Sequence, residues 1–158
     1  MQMQTETLKK PPYLVIAILF FGAFVSFLNN SLLNVALPTI MIDFDIEYSA
    51  VQWLATGYML VSGVLIPVSA FLITKFKNRT LFIASMVIFT LGTALAAFAP
   101  SFTFLLIGRM IQAAGSAVMG PLLMNVMLVS FPREKRGAAM GIFGLVMITA
   151  PAIGPTLS

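Results

Sequence analysis

Apolar residues run along this chain in five long blocks, and polar residues gather in the short gaps between them. The blocks cover residues 13–38, 49–74, 80–99, 102–131 and 137–158. Each is long enough for a helix to cross a bilayer, which takes about 20 mostly apolar residues. Strands of a membrane β-barrel would be about ten residues long and would alternate strictly; these blocks are longer and do not alternate. The pattern predicts an all-α integral membrane fold of five spans behind a polar tail at residues 1–12.

The gaps carry the charge. The first holds Asp43, Asp45 and Glu47, the second Lys75, Lys77 and Arg79, and the fourth Arg133, Glu134, Lys135 and Arg136. The third is little more than Pro100 and Ser101. Eight of the nine basic residues lie in the tail, the second gap and the fourth gap. Alternating spans put these three segments on one side, and basic segments stay in the cytoplasm. The expected topology has the N-terminus and basic loops cytoplasmic and the acidic loop outside, in a cell (plasma) membrane. Lys9 and Lys10 ahead of an apolar run imitate a secretory signal. The run from Tyr13 is too long for one, and no Ala-x-Ala site follows, so it reads as a retained first span.

Composition agrees. Hydrophobic residues make up 59% of the chain and charged residues 9%, against about 25% charged in soluble domains. The net charge of +4 suggests no nucleic-acid partner, because the basic residues sit in clusters between apolar runs and not along one face. Cysteine and histidine are absent, so the expectation is no disulfide, no metal and no cofactor. The spans hold no acid pair and no Ser/Lys or Ser/His dyad, which argues against an intramembrane enzyme.

Charges inside lipid are costly and usually functional, and the ninth basic residue, Arg109, lies within the fourth block. Gln112, Gly115 and Ser116 follow it at helical spacings. Arg109 is either a structural residue satisfied by carbonyls of neighbouring helices or part of a pathway. The first block carries Asn29, Asn30, Ser31 and Asn34, which either bond between helices or line a polar cavity. None of the five acidic residues falls in a span, so a coupling carboxylate must lie elsewhere. In the fifth block Gly137, Gly141 and Gly144 form a small-residue face suited to close packing. Pro151 and Pro155, around Gly154, remove backbone donors and bend the helix. Eleven Met and fourteen Phe face lipid or core, or else give a soft lining for varied apolar ligands. Trp53 and Tyr58 stand near the start of the second span, where interfacial aromatic anchors belong.

Leu28 through Pro38, with Asn29, Asn30, Asn34 and Pro38, resembles the first-span signature of the EmrB/QacA-type drug:proton antiporters, the 14-helix branch of the major facilitator superfamily. Arg109, Gln112 and Gly115 are similar to that family's fourth-span motif, and Gly144 through Pro151, Gly154 and Pro155 to its fifth-span antiporter motif. The resemblance covers residues 13–158. It implies the N-terminal five spans of a six-helix half, in a fold of two helical bundles around a central path. It implies proton-driven export of small amphipathic drug-like substrates by alternating access. Arg109 and Gln112 would then serve a proton pathway or its electrostatic control, Asn29, Asn30 and Asn34 would line the polar cavity, and Gly144, Pro151, Gly154 and Pro155 would form a gating helix. Lys75, Lys77 and Arg79 would form the cytoplasmic conformational loop. Two positions depart from the family pattern. Asn29 stands where most members have Asp, and Thr74 replaces the Asp of the basic loop, departures shared with an LmrB-like Gram-positive subgroup. An odd number of spans ending on an apolar Thr-Leu-Ser predicts a piece of a longer protein. The alternative is a truncated membrane protein without transport of its own, or a part that needs a second chain.

Overall fold

A computed structural model describes residues 13–157 of the chain. The tail at 1–12, with Lys9 and Lys10, lies outside the described residues. Helix α1 is Tyr13–Phe44, α2 a single turn at Tyr48–Val51, α3 Trp53–Lys75, α4 Asn78–Ala97, α5 Phe102–Ser130 and α6 Arg136–Leu157, the last preceded by a 3-10 turn at Arg133–Lys135. Five helical stretches are long and apolar enough to cross a membrane, with α2 and α3 making one of them. The backbone explains the choice: without water, only a helix or a closed barrel satisfies every peptide group.

Prolines interrupt these helices without ending them. Pro38 lies inside α1, Pro67 inside α3, Pro121 inside α5, and Pro151 and Pro155 inside α6. A proline removes one i→i−4 hydrogen bond and bends the helix, and lipid offers no competing solvent for the rest. So α1 runs past the expected break at Pro38, and Asp43 sits on its last turn and not in a loop. α1 has 32 residues, about 48 Å at the helical rise, longer than the ~30 Å core.

A Schellman motif ends α1. The Ile46 N–H donates to the Met41 carbonyl at 3.1 Å and the Asp45 N–H to the Ile42 carbonyl at 3.3 Å, with Ile46 and Met41 packed in one apolar cluster. The motif needs a left-handed residue, and Asp45 takes it with φ 49°. Glycine occupies that conformation without the Cβ penalty. Asp45→Gly is therefore expected to raise stability by about 0.5–1 kcal/mol, read as a higher midpoint in thermal unfolding of the solubilised protein.

α5 is the hub. It packs against α4, α3 and α1, while α6 lies along α1. Near the basic loops, Ile16, Leu19 and Ala23 of α1 meet Leu122, Leu123, Val126 and Met127 of α5, Leu81 of α4 and Ala139 of α6. Near the acidic loop, Val51, Leu54 and Leu105 pack with Leu33, Leu37 and Phe102. Between these clusters α5 carries its polar residues. The outer faces stay apolar and exposed, as at Leu14, Phe21, Ile42 and Val129, which suits contact with lipid tails.

The closest approach in the bundle is α4 on α5. A Cβ added to Gly92 would lie 2.5 Å from the Gln112 backbone nitrogen, one on Gly108 2.8 Å from that of Ala96, and one on Gly115 2.6 Å from that of Phe89. The three glycines let two helix backbones touch, as small residues do in membranes.

Candidate functional site

Arg109 lies at the centre of the polar layer, only 2% exposed. Its Nη1 donates to Asn29 Oδ1 at 3.0 Å and to Gln112 Oε1, and its Nη2 donates to Asn30 Oδ1 at 2.9 Å. Gln112, 1% exposed, donates from Nε2 to Thr93 Oγ1 at 2.7 Å, and Thr93 donates to the Phe89 carbonyl at 2.8 Å. On its other side the guanidinium carbon stands 4.6 Å from the centre of the Tyr58 ring, a cation–π contact. Tyr58 Oη bonds Ser116 Oγ, which donates to the Ala113 carbonyl at 3.1 Å. One arginine thus ties together α1, α3, α4 and α5.

The local sequence makes this possible. Arg109 and Gln112 are i, i+3 on α5 and so share a face. Gly108 and Gly115 bring α4 to backbone contact on that side, within reach of Thr93. Asn29 and Asn30 are adjacent on α1, and the forked guanidinium reaches both. Each of these acceptors is a neutral amide oxygen, and Arg109 Nε is buried without a hydrogen-bond partner among the described residues.

Asn34 is exposed, one turn further along α1, and is not joined to this network. Ser26 is buried and donates to the Gly22 carbonyl at 3.1 Å, with Met119 Sδ also 3.1 Å away. Lys75, Lys77 and Arg79 are exposed around the α3–α4 turn, with Lys75 Nζ 5.5 Å from the centre of the Phe71 ring. Thr74 donates to the Phe71 carbonyl at 2.7 Å.

α6 departs from the close packing expected of its glycines. A Cβ on Gly137, Gly141 or Gly144 would meet nothing within 4 Å, so that face is uncovered among the described residues. α6 meets α1 through other positions. Pro155 has no N–H to give the Pro151 carbonyl, and Ser31 Oγ of α1 donates to that carbonyl instead at 3.2 Å, the kind of substitution that lets lipid-embedded helices carry proline. Gly154 continues the helix between the two prolines.

Two spaces flank this network, and Arg109 itself lines the second. A cavity of about 400 Å³ opens between α1, α3, α5 and α6, lined by Phe27, Met119, Met124, Phe143 and Met147 with Tyr58, Ser62 and Ser116 as its polar strip. Ser62 Oγ there is buried without a partner among the described residues. The second, about 300 Å³, lies between α1, α4 and α5, with Asn29, Thr93, Arg109 and Gln112 at one end and Leu32, Leu33, Ala36, Ala96, Ala97 and Leu105 around the rest.

Sequence reasoning missed Tyr58 and Thr93. Tyr58 is half-buried against the arginine and is not the interfacial anchor expected of it, while Trp53 is exposed. Thr93 carried a signal in being a hydroxyl within an apolar span, one residue after a glycine.

The family model described as Major Facilitator Superfamily matches residues 19–158. The uncharacterised MFS-type transporter YhcA of Bacillus subtilis is 54% identical over 94% of this chain and 28% of its own length. The uncharacterised MFS-type transporter YcnB of the same organism is 54% identical over 99% of this chain and 34% of its own length. The lincomycin resistance protein LmrB of Bacillus subtilis is 46% identical over 89% of this chain and 29% of its own length. The chain spans about a third of the length of these curated relatives.

Proposed function

The chain belongs to the Major Facilitator Superfamily, a family of membrane transporters, and on that premise we propose that it forms the first five spans of a secondary active multidrug exporter. The exporter exchanges amphipathic drug-like molecules for protons by alternating access. Its place is the plasma membrane, with the basic loops and the N-terminus in the cytoplasm. The observation that carries this reading is the buried Arg109 between two apolar clusters, bonded to Asn29 and Asn30 of α1 and to Gln112 of α5, which Thr93 of α4 braces, and stacked on Tyr58 of α3. A buried cation in a span marks a pathway more often than a scaffold.

Substrate enters the cavity lined by Met and Phe, whose soft side chains adapt to varied apolar shapes. Asn29, Asn30 and Asn34 give the polar side of the path. The amides of Asn29 and Asn30 do not titrate, so Arg109 and Gln112 control the local field, and the carboxylate that binds the proton stands elsewhere in the transporter. The uncovered glycine face of α6 is the seam against the second bundle, and the bends at Pro151 and Pro155 let it slide. The lincomycin resistance named for one relative supports drug export as the activity.

Drug accumulation in cells carrying the complete coding sequence tests the proposal. Lower accumulation of several amphipathic compounds, reversed by a protonophore, is expected; unchanged accumulation across a broad panel sinks it. A central path needs both halves, so residues 1–158 expressed alone are expected to restore no efflux.

A further inference from the structure

Three consecutive residues of α1 bond in two directions. Asn29 and Asn30 accept from Arg109 of α5 at 3.0 and 2.9 Å, and Ser31 donates to the Pro151 carbonyl of α6 at 3.2 Å. Successive side chains leave a helix about 100° apart and about 1.5 Å further along it, so Asn30 and Ser31 reach different neighbours from almost the same level. The backbone between them is a single hydrogen-bonded turn, and the proline of α1, Pro38, lies beyond it. A rotation or slide of α1 that moves Asn30 therefore moves Ser31.

The receiving end is a weak point in α6. Pro155 brings no N–H to the Pro151 carbonyl, and Pro151 brings none to Met147, so the helix bends there at low backbone cost. Towards the basic loops α6 is held by apolar contacts, with the Phe143 ring centre 6.4 Å from that of Phe20 and Ala139 in the apolar cluster. Such contacts are many weak dispersion attractions and survive small slides. The Ser31 bond is directional and acts on the backbone at the bend itself.

We propose that Asn29, Asn30 and Ser31 form a rigid transmission between the buried arginine and α6, so that a change in the bonds of the guanidinium to α1 changes the bend at Pro151. Ser31 is the positioning residue at the α6 end. The transmission is built from bonds made within these five spans, and it goes beyond the exporter reading, which gives the bend no control.

Pulsed EPR on the full-length protein in lipid nanodiscs tests this. Spin labels go on Phe98→Cys, exposed at the end of α4, and Ile153→Cys, exposed on α6 beyond Pro151, in a background without other cysteines. Asn30→Ala deletes one bond to Arg109 and is expected to broaden the distribution of label distances. Asn30→Asp gives the guanidinium a counter-charge at the same place and is expected to narrow it. Ser31→Ala is expected to abolish both responses, and Ser31→Thr, which keeps the hydroxyl, to preserve them. Responses of equal size with Ser31 and with Ser31→Ala overturn the transmission, as does a distribution that neither substitution of Asn30 alters. Loss of the responses in Ser31→Thr as well overturns the part given to the hydroxyl. A Ser31 that only stabilised the fold would lower the unfolding temperature in Ser31→Ala without erasing the response to Asn30. Distances are read without drug or proton gradient, so failure of the exporter reading shows in the efflux assay and not here.

Discussion

Arg109→Met is expected to lower export at least a hundredfold while changing the stability of the helical bundle by only about 1–2 kcal/mol in either direction. The two numbers differ because opposite terms meet in stability but not in function. Removing the guanidinium forfeits its bonds to Asn29, Asn30 and Gln112, each worth about 0.6 kcal/mol on average inside a membrane, together with the contact to Tyr58. Against that, methionine no longer asks the membrane to hold a cation without a counter-ion, a penalty of several kcal/mol. Function has no such offset, since loss of about 3 kcal/mol of field at the pathway already corresponds to about a hundredfold in rate. Arg109→Lys separates charge from geometry. It keeps the positive charge, but an ammonium on a flexible stem does not reproduce the planar fork that reaches both asparagines. Its expected outcome is a folded protein with export reduced at least tenfold. The measurement is drug accumulation at matched membrane expression, alongside thermal unfolding of each variant. Wild-type export by Arg109→Met would show that the arginine is scaffold only.

The charged and amide residues of this network were legible in the sequence because lipid makes them conspicuous. A single Arg in an apolar block, with Gln three residues on and paired Asn in another block, has few satisfactory arrangements. The contribution of α3 was not legible. Its faces are all apolar enough for lipid, so the sequence does not say which one turns inward, and Tyr58 fits an interface as well as a core. Packing decides it: Gly57 meets Met110 of α5, and the next residue then stacks on Arg109. The end of the helix α1 is a different matter from the end of the apolar block at Pro38. A proline deletes one i→i−4 bond and bends a helix without having to end it, so α1 continues to Phe44. The glycines of α6 form as clear a small-residue stripe as those of α4 and α5, yet among the described residues it is Gly92, Gly108 and Gly115 that meet a partner backbone. Spacing shows that a stripe is able to pack closely. It does not name the partner.

That difference between glycines yields the second large effect. Gly92→Leu and Gly108→Leu are each expected to destabilise the bundle by about 3 kcal/mol or more, at or above the usual range for overpacking. The atoms in the way are backbone atoms of the partner helix, at 2.5 Å for Gly92 and 2.8 Å for Gly108, so no rotamer change makes room and α4 must leave α5. As it leaves, Thr93 withdraws from Gln112, and the support behind the arginine goes with it. Stability and export should therefore fall together in these two variants. Gly144→Ala should behave in the opposite way. Its Cβ meets nothing within 4 Å, and alanine favours a helix over glycine by about 1 kcal/mol, so unfolding is expected at the same or a higher temperature. If the bare face of α6 is the sliding seam, Gly144→Leu should then lose export in a protein whose fold persists. Thermal unfolding and efflux measured on the four variants decide the matter. A Gly92→Leu protein as stable as the wild type would contradict the α4–α5 contact, and a Gly144→Leu protein with full export would contradict the seam.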